Sequence, residues 1–255
     1  RNMKDIFIKY RQNINQYNPF LDFMKNKEYI TNVIKNCEGN HMSFPSPPIE
    51  VLEQCLKDTK KRPIMRLLEP SKQCNQDICK ELLSLLDELL STNKLARFPL
   101  LVKKIKNELI GDIITSHIQN TNQKIKEIIL MEENYIWTDN TIFRTALQSM
   151  STTTLNNKHN NNQHIKSNVE NMNELLKLYY NTLIENIKNV IPKTIMYFLV
   201  KQIENDVSEN FYERILKEPT EELLQEEKHI HTKRTDLQQE QKKLILAKKS
   251  INEIM

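Results

Sequence analysis

Residues 189–201 read NVIPKTIMYFLVK, the most apolar run in an otherwise polar chain, with a proline near its start. Helical periodicity flanks this run on both sides. Upstream, Met172, Leu176, Tyr179, Leu183, Ile187 and Val190 recur three or four residues apart. Downstream, Ile195, Phe198, Leu199, Ile203, Val207 and Phe211 resume the stripe in near register. A proline inside a helix removes a donor and clashes with the preceding turn, yet the pattern runs through it. The spacing predicts one helix over about 169–216, kinked at Pro192. Past the kink, Ile195, Phe198, Leu199 and Val200 cover more than one face, more than a single bundle seam needs. Two readings stay open for this patch: plain core packing, or a contact outside the helix's own bundle.

Working outward, composition narrows the field. The chain has 255 residues and only 2 glycines, Gly39 and Gly111. Tight β-hairpins want Asn-Gly or Gly-Gly turns, and phosphate-cradling loops need closely spaced glycines. Both are excluded, so no cofactor is expected in this segment. Lys and Arg number 37 against 33 Asp and Glu, interleaved along the chain. No clustered basic stripe marks a nucleic-acid partner. No stretch approaches the roughly 20 apolar residues of a membrane span. The four cysteines, Cys37, Cys55, Cys74 and Cys79, lack CxxC spacing, and no His pair stands at finger distance. They read as reduced thiols, and His229 and His231 as surface residues. No paired carboxylates or nucleophile–base set stands out, so no catalytic residue is assigned.

The rest of the chain divides by period and by breakers. A first helix, about 1–37, carries Ile6, Ile14, Phe20, Phe23, Ile30 and Ile34 and stops at EGNHMSFPSPP. A second, about 49–90, is interrupted by Pro63 and carries Ile78, Leu82, Leu85, Leu86 and Leu89. A third, about 99–137, shows Val102, Ile105, Leu109, Ile113, Ile125, Ile128, Ile129 and Tyr135. Unbroken, it would run roughly 55–60 Å. Residues 147–168 are Asn/Thr-rich without apolar period and read as a flexible linker. A last helix, about 220–255, has Thr220 as N-cap, Glu221 and Glu222 in its first turn, and Leu237, Leu244 and Ile251 at a spacing of seven. The fold class is all-α, an elongated antiparallel helical bundle with a C-terminal helix extending from it.

Four stretches in order, LLEPSKQC (67–74), LARFPLL (95–101), MEENYIWTDNTIF (131–143) and YYNTLIENIKNVIPKTIMYFLVKQI (179–203), resemble the stalk and GTPase effector region of dynamin-related proteins. The resemblance implies a four-helix stalk with middle region 1–146, linker 147–168 and effector region 169–255. It also implies a parent with an upstream GTPase domain that holds GTP and Mg, and the start at arginine suggests a fragment. The function implied is self-assembly and GTPase stimulation in membrane fission or organelle division. Implied partners are further copies of the chain, as dimers or tetramers, the parent's own GTPase domain, and a membrane surface bound peripherally in the cytoplasm. Val200 matches a position on the family's dimerising surface, which would take in Met196, Tyr197, Phe198 and Glu204; interface cores favour aromatics and Met. Leu237, Leu244 and Ile251 would pack on helices flanking the GTPase domain. Gly39, Asn40, His41 and Met42 stand at the family's filament-joining loop but lack its arginine, and Pro63 interrupts a helix that the family usually continues. Lys158, His159, His164 and Lys166 could touch anionic headgroups, each basic residue adding about 1 kcal/mol. The competing reading is a non-enzymatic helical scaffold or tether; an RNA-binding helical protein, the third, is disfavoured by the mixed charge.

Overall fold

The computed structural model describes residues 2–40, 48–92, 94–156, 161–211, 213, 217 and 220–254. Among them the chain is helical with no strand. In order come α1 (Asn2–Asn13), α2 (Phe23–Asn40), α3 (Pro48–Leu56), α4 (Leu68–Thr92), α5 (Pro99–Lys106), α6 (Thr115–Asn134), α7 (Thr141–Asn156), α8 (Asn161–Ile195), α9 (Gln202–Asp206), α10 (Thr220–Leu223) and α11 (Lys228–Ile254). They fall into two compact units. The first holds residues 1–78 and 118–200, the second 79–117 and 201–255.

In the first unit α8 is the element around which the others pack. Its buried positions come as neighbouring pairs, Met172/Asn173, Leu175/Leu176, Tyr179/Tyr180 and Leu183/Ile184, repeated every three or four residues. A paired repeat makes a broad stripe, and α1, α2, α3 and α7 all contact it. The single row read from sequence is half of this face. Val190, the last member of that row, is exposed, and Ile191 turns inward in its place.

Polar side chains close the breaks between these helices. The expected helix over 1–37 ends at Asn13, passes through a 3₁₀ turn at Ile14–Tyr17, and restarts at Phe23. The reason is Pro19, which holds Asn18 extended at φ −69°, ψ 113°. Asn18 Oδ1 accepts the Phe20 N–H at 2.9 Å, and its Nδ2 donates to Asn181 Oδ1 of α8 at 2.9 Å. The expected helix over 49–90 breaks at 57–63. There Asp58 Oδ1 accepts the N–H groups of Lys60 and Lys61, and Arg62 sits at φ 39°. Arg62 forks onto both oxygens of Glu133 at 3.0 and 2.8 Å. Pro63 then opens a 3₁₀ turn, Ile64–Leu67, and its carbonyl accepts the buried Tyr180 hydroxyl at 2.7 Å.

Pro192 lies inside α8. Lacking an N–H, it leaves the Lys188 carbonyl without its helical donor. Arg11 Nε of α1 donates to that carbonyl at 3.4 Å. A π-helical stretch, Met196–Lys201, follows directly.

The predicted linker, 147–168, is helical at 147–156, within α7, and again from 161, where α8 begins. Asn and Thr are weak helix formers. The segments adjoin buried anchors, Phe143 at one end and Val169 at the other, and propagation from a packed turn is far easier than nucleation.

The second unit is built on Leu90, Ile105, Leu109 and Ile113, with Leu86, Leu95, Leu101, Val102, Ile203 and Val207 packed against them. Leu85 and Leu89, expected in the stripe, are exposed. The predicted third helix is not uniform: Asn107–Ile114 is π-helical, and α6 stops at Asn134. The Thr115 hydroxyl donates to the Ile110 carbonyl five residues back at 2.7 Å. His117 Nε2 meets Asp206 Oδ2 of α9 at 2.6 Å. The expected last helix is also split, with α10 and α11 separated by residues 224–227.

Two predictions follow from the first unit. Pro192→Ala should stabilise the chain by up to about 3 kcal/mol. Arg11→Gln should cost about 0.5–1 kcal/mol in the natural chain and close to nothing beside Pro192→Ala, where a helical N–H takes the Lys188 carbonyl. A double-mutant cycle from urea melts measures the difference. The second concerns alkali. Burial pushes the Cys55 and Cys74 thiols up from 9.0 to about 12. An unfolded thiol ionises above pH 9 while the folded one stays neutral, so the folded state holds more protons. Stability should be complete below pH 9 and fall toward pH 12, by up to about 1.4 kcal/mol per pH unit for each thiol. Urea midpoints at pH 7.5, 9 and 10 would trace the fall, and a Cys55→Ala/Cys74→Ala chain should show a shallower one.

Candidate assembly surfaces

The apolar run after Pro192 splits between core and surface. Ile191, Ile195 and Leu199 are fully buried, whereas Met196 is 41% and Tyr197 57% exposed. Phe198 and Val200 are half-buried. Tyr197 and Phe198 stack edge to face, ring centroids 5.0 Å apart and planes at 89°. A wider π turn spreads consecutive side chains differently from an α turn, so one run supplies both the inward leucine and the outward aromatic. The core and contact readings of this patch therefore apply to different residues. Glu204 belongs to the second unit, where it is exposed and pairs with Lys201 at 3.1 Å.

The other expected sites are spread over the molecule. Gly39 and Asn40 are the last residues of α2, and His41 and Met42 lie outside the described residues. Lys158 and His159 also lie outside them, while His164 and Lys166 fall on the first turns of α8. Leu237 and Leu244 are 56% and 65% exposed on α11, joined there by exposed Ile245 and Leu246; Ile251 lies on the same helix.

The base of α11 is held more firmly than the heptad alone implied. Leu223 of α10 is buried, and α10 packs on α5. Glu226, its side chain only 7% exposed, stands between Arg97 Nε at 3.7 Å and the Arg234 guanidinium. Arg97 also lies over the Phe98 ring, 4.7 Å from its centroid. This clamp joins the LARFPLL stretch to the root of the last helix. Glu226 and Arg234 stand close in the sequence, but no spacing rule pairs either with Arg97, more than a hundred residues away.

A second surface was not read as such. Tyr135 and Trp137, placed in a helix by their spacing, lie beyond the end of α6 and are 71% and 67% exposed. The missed signal was Asn140, whose Oδ1 accepts the Phe143 N–H at 3.0 Å as the N-cap of α7. A cap there requires the preceding residues to leave the helix.

Among the described residues no group of three or more His, Cys, Asp or Glu side chains is placed to hold a metal ion. No described helix is long and apolar enough to cross a membrane. The two halves of the chain also match known families separately. Residues 1–152 match the dynamin central region, and residues 164–254 match the dynamin GTPase effector domain. The chain belongs to the dynamin family. Dynamin-related protein 3A of Arabidopsis thaliana is 32% identical over 142 residues, 55% of this chain and 16% of that protein. Dynamin-related protein 3B of the same plant is 33% identical over 116 residues, 45% of this chain and 14% of that protein. Dynamin-A of Dictyostelium discoideum is 36% identical over 90 residues, 35% of this chain and 11% of that protein. This chain thus matches less than a fifth of the length of each relative. Within the dynamin family it is a stalk segment, central region followed by effector domain.

For this dynamin segment, the exposure of α11 predicts fast exchange. Backbone amides over 236–255 should exchange orders of magnitude faster than those of α8, because few buried contacts oppose local opening. Exchange mass spectrometry of the isolated chain measures it; protection equal to that of α8 would contradict the expectation.

Proposed function

We propose that this chain is the self-assembling stalk and effector region of a larger GTP hydrolase that remodels or divides membranes. The segment does no chemistry. Its work is to pair with further copies of itself, as dimers or tetramers that build larger assemblies, and so bring GTPase domains together. GTP and Mg would belong to those domains. The protein would act in the cytoplasm, bound peripherally to the cytosolic face of a membrane.

The observation that carries this reading is the exposed Met196–Tyr197 pair on a helix whose opposite side is the core of its own unit. Exposed Met and aromatic side chains beside half-buried Phe198 and Val200 fit the centre of a protein interface. Leu237, Leu244 and Ile251 support a second contact, with helices adjoining the GTPase domain: a seven-residue repeat on an exposed helix matches a coiled-coil seam that lacks its mate.

Sedimentation equilibrium tests the proposal. The natural chain should form dimers or larger species, and Tyr197→Lys should shift it to a monomer with an unchanged circular dichroism spectrum. Because Tyr197 is more than half exposed, this change should cost little stability. Val200→Lys, nearer the core, should give the same shift with a lower melting point. A natural chain that stays monomeric at every concentration would overturn the reading.

A further inference from the structure

We propose that the groove where the chain leaves α6 is a binding site for a guanidinium group, the arginine side chain of a protein partner. The groove, about 520 Å³, lies within the first unit; Met131, Glu132, Tyr135, Trp137, Thr182 and Asn186 line it. Met131, Tyr135 and Trp137 are 61%, 71% and 67% exposed. Trp137 is the one tryptophan in the chain, and an exposed Trp and Tyr lining one groove forgo the burial that large rings normally contribute.

The backbone that presents these rings is fixed. The Tyr135 N–H donates to the Met131 carbonyl at 3.0 Å, and the Trp137 backbone lies against the Tyr179 hydroxyl. Tyr179 is itself buried and stacks edge to face on Phe143 at 5.5 Å. Asn140 caps the following helix. The aromatic pair therefore stands on a braced loop, and its display costs a ligand little ordering.

Charge decides what fits. Of the carboxylates nearby, Glu133 is occupied by Arg62 and Asp139 by Arg144, each at 2.8 Å. Glu132 has no such cation among the described residues, and burial pushes its carboxyl above the ordinary range. A desolvated carboxylate beside two aromatic faces asks for a cation that stacks and donates hydrogen bonds. A guanidinium does both: its plane lies on Trp or Tyr faces while its fork donates to a carboxylate. The Thr182 hydroxyl already donates to the Leu178 carbonyl at 3.1 Å, so its free lone pairs accept, as does the Asn186 amide oxygen. A quaternary ammonium has no N–H for Glu132, and an ammonium lacks the plane.

The single tryptophan supplies the test. The whole chain is titrated with the peptide acetyl-Arg-Ala-Arg-amide while Trp137 fluorescence is recorded, beside the matched lysine peptide, tetramethylammonium chloride and phosphatidylcholine vesicles. A saturable change with the arginine peptide is expected, weaker by about tenfold or more in Glu132→Gln, which loses charge-assisted hydrogen bonds. Calorimetry on Trp137→Leu, a change at an exposed position that should leave the circular dichroism spectrum unchanged, should show the same loss. No saturable response to the arginine peptide would overturn the proposal. So would an equal response to the lysine peptide, which would mark a site for any cation, an equal response to tetramethylammonium or vesicles, which would mark a choline-headgroup site, or binding unchanged in Glu132→Gln.

Discussion

Burial of α8 on a broad face is the constraint from which the first unit follows. A helix with one buried row needs one neighbour, whereas the paired rows of α8, Leu175/Leu176 and Tyr179/Tyr180 among them, require several. The helices α1, α2, α3 and α7 meet that demand. The tyrosines add direction to a contact that apolar area alone would leave loosely defined. Tyr180 donates to the Pro63 carbonyl, and Tyr179 meets the Trp137 backbone. Both hydroxyls are pushed above their ordinary range by that burial, Tyr179 to about 12.

The prolines show how the same constraint handles broken backbone. Pro19, Pro63 and Pro192 each remove a donor, and each is met by a polar group brought from a distant part of the chain. Asn181 braces the loop before Pro19, Tyr180 takes the Pro63 carbonyl, and Arg11 takes the carbonyl freed by Pro192. The buried Pro63 carbonyl, left open, would cost roughly 1–3 kcal/mol. The helix breaks are thus positions where α8 is tied to its neighbours, and they fix the register of the packing as well as ending elements.

What the fold leaves outside is as informative as what it buries. Met196 and Tyr197, Tyr135 and Trp137, and the leucines of α11 are exposed apolar groups on ordered backbone. Their settings differ: a π turn beside a core, a capped loop beside a half-buried carboxylate, and a helix rooted by the Glu226 clamp. Each setting suits a different kind of contact, and the contacts proposed for the three surfaces differ accordingly.

The all-α class and the helical character of most segments were legible in the sequence, whereas the breaks at 14–22, 57–63 and 224–227 and the helix α7 were not. Scarcity of glycine and three-to-four periodicity are local properties, and local steric rules read them. Family membership was legible too, because four motifs stand in order. Other features needed the tertiary structure. Leu85 and Leu89 obey the period of Leu86 but face solvent, and Val190 yields its inward place to Ile191, since which side of a stripe is covered depends on the neighbours. The division of NVIPKTIMYFLVK into buried Ile195 and Leu199 and exposed Met196 and Tyr197 came from a π turn that no heptad or 3.6-residue count foresees. The helix at 141–156 owes its place to packed anchors. The sequence by itself determined the helical character of the segments with a three-to-four apolar period, because that choice is made within a turn or two of chain. Only the tertiary structure decided which of their faces are buried and which polar atoms meet, because those contacts join residues as far apart as Arg11 and Lys188.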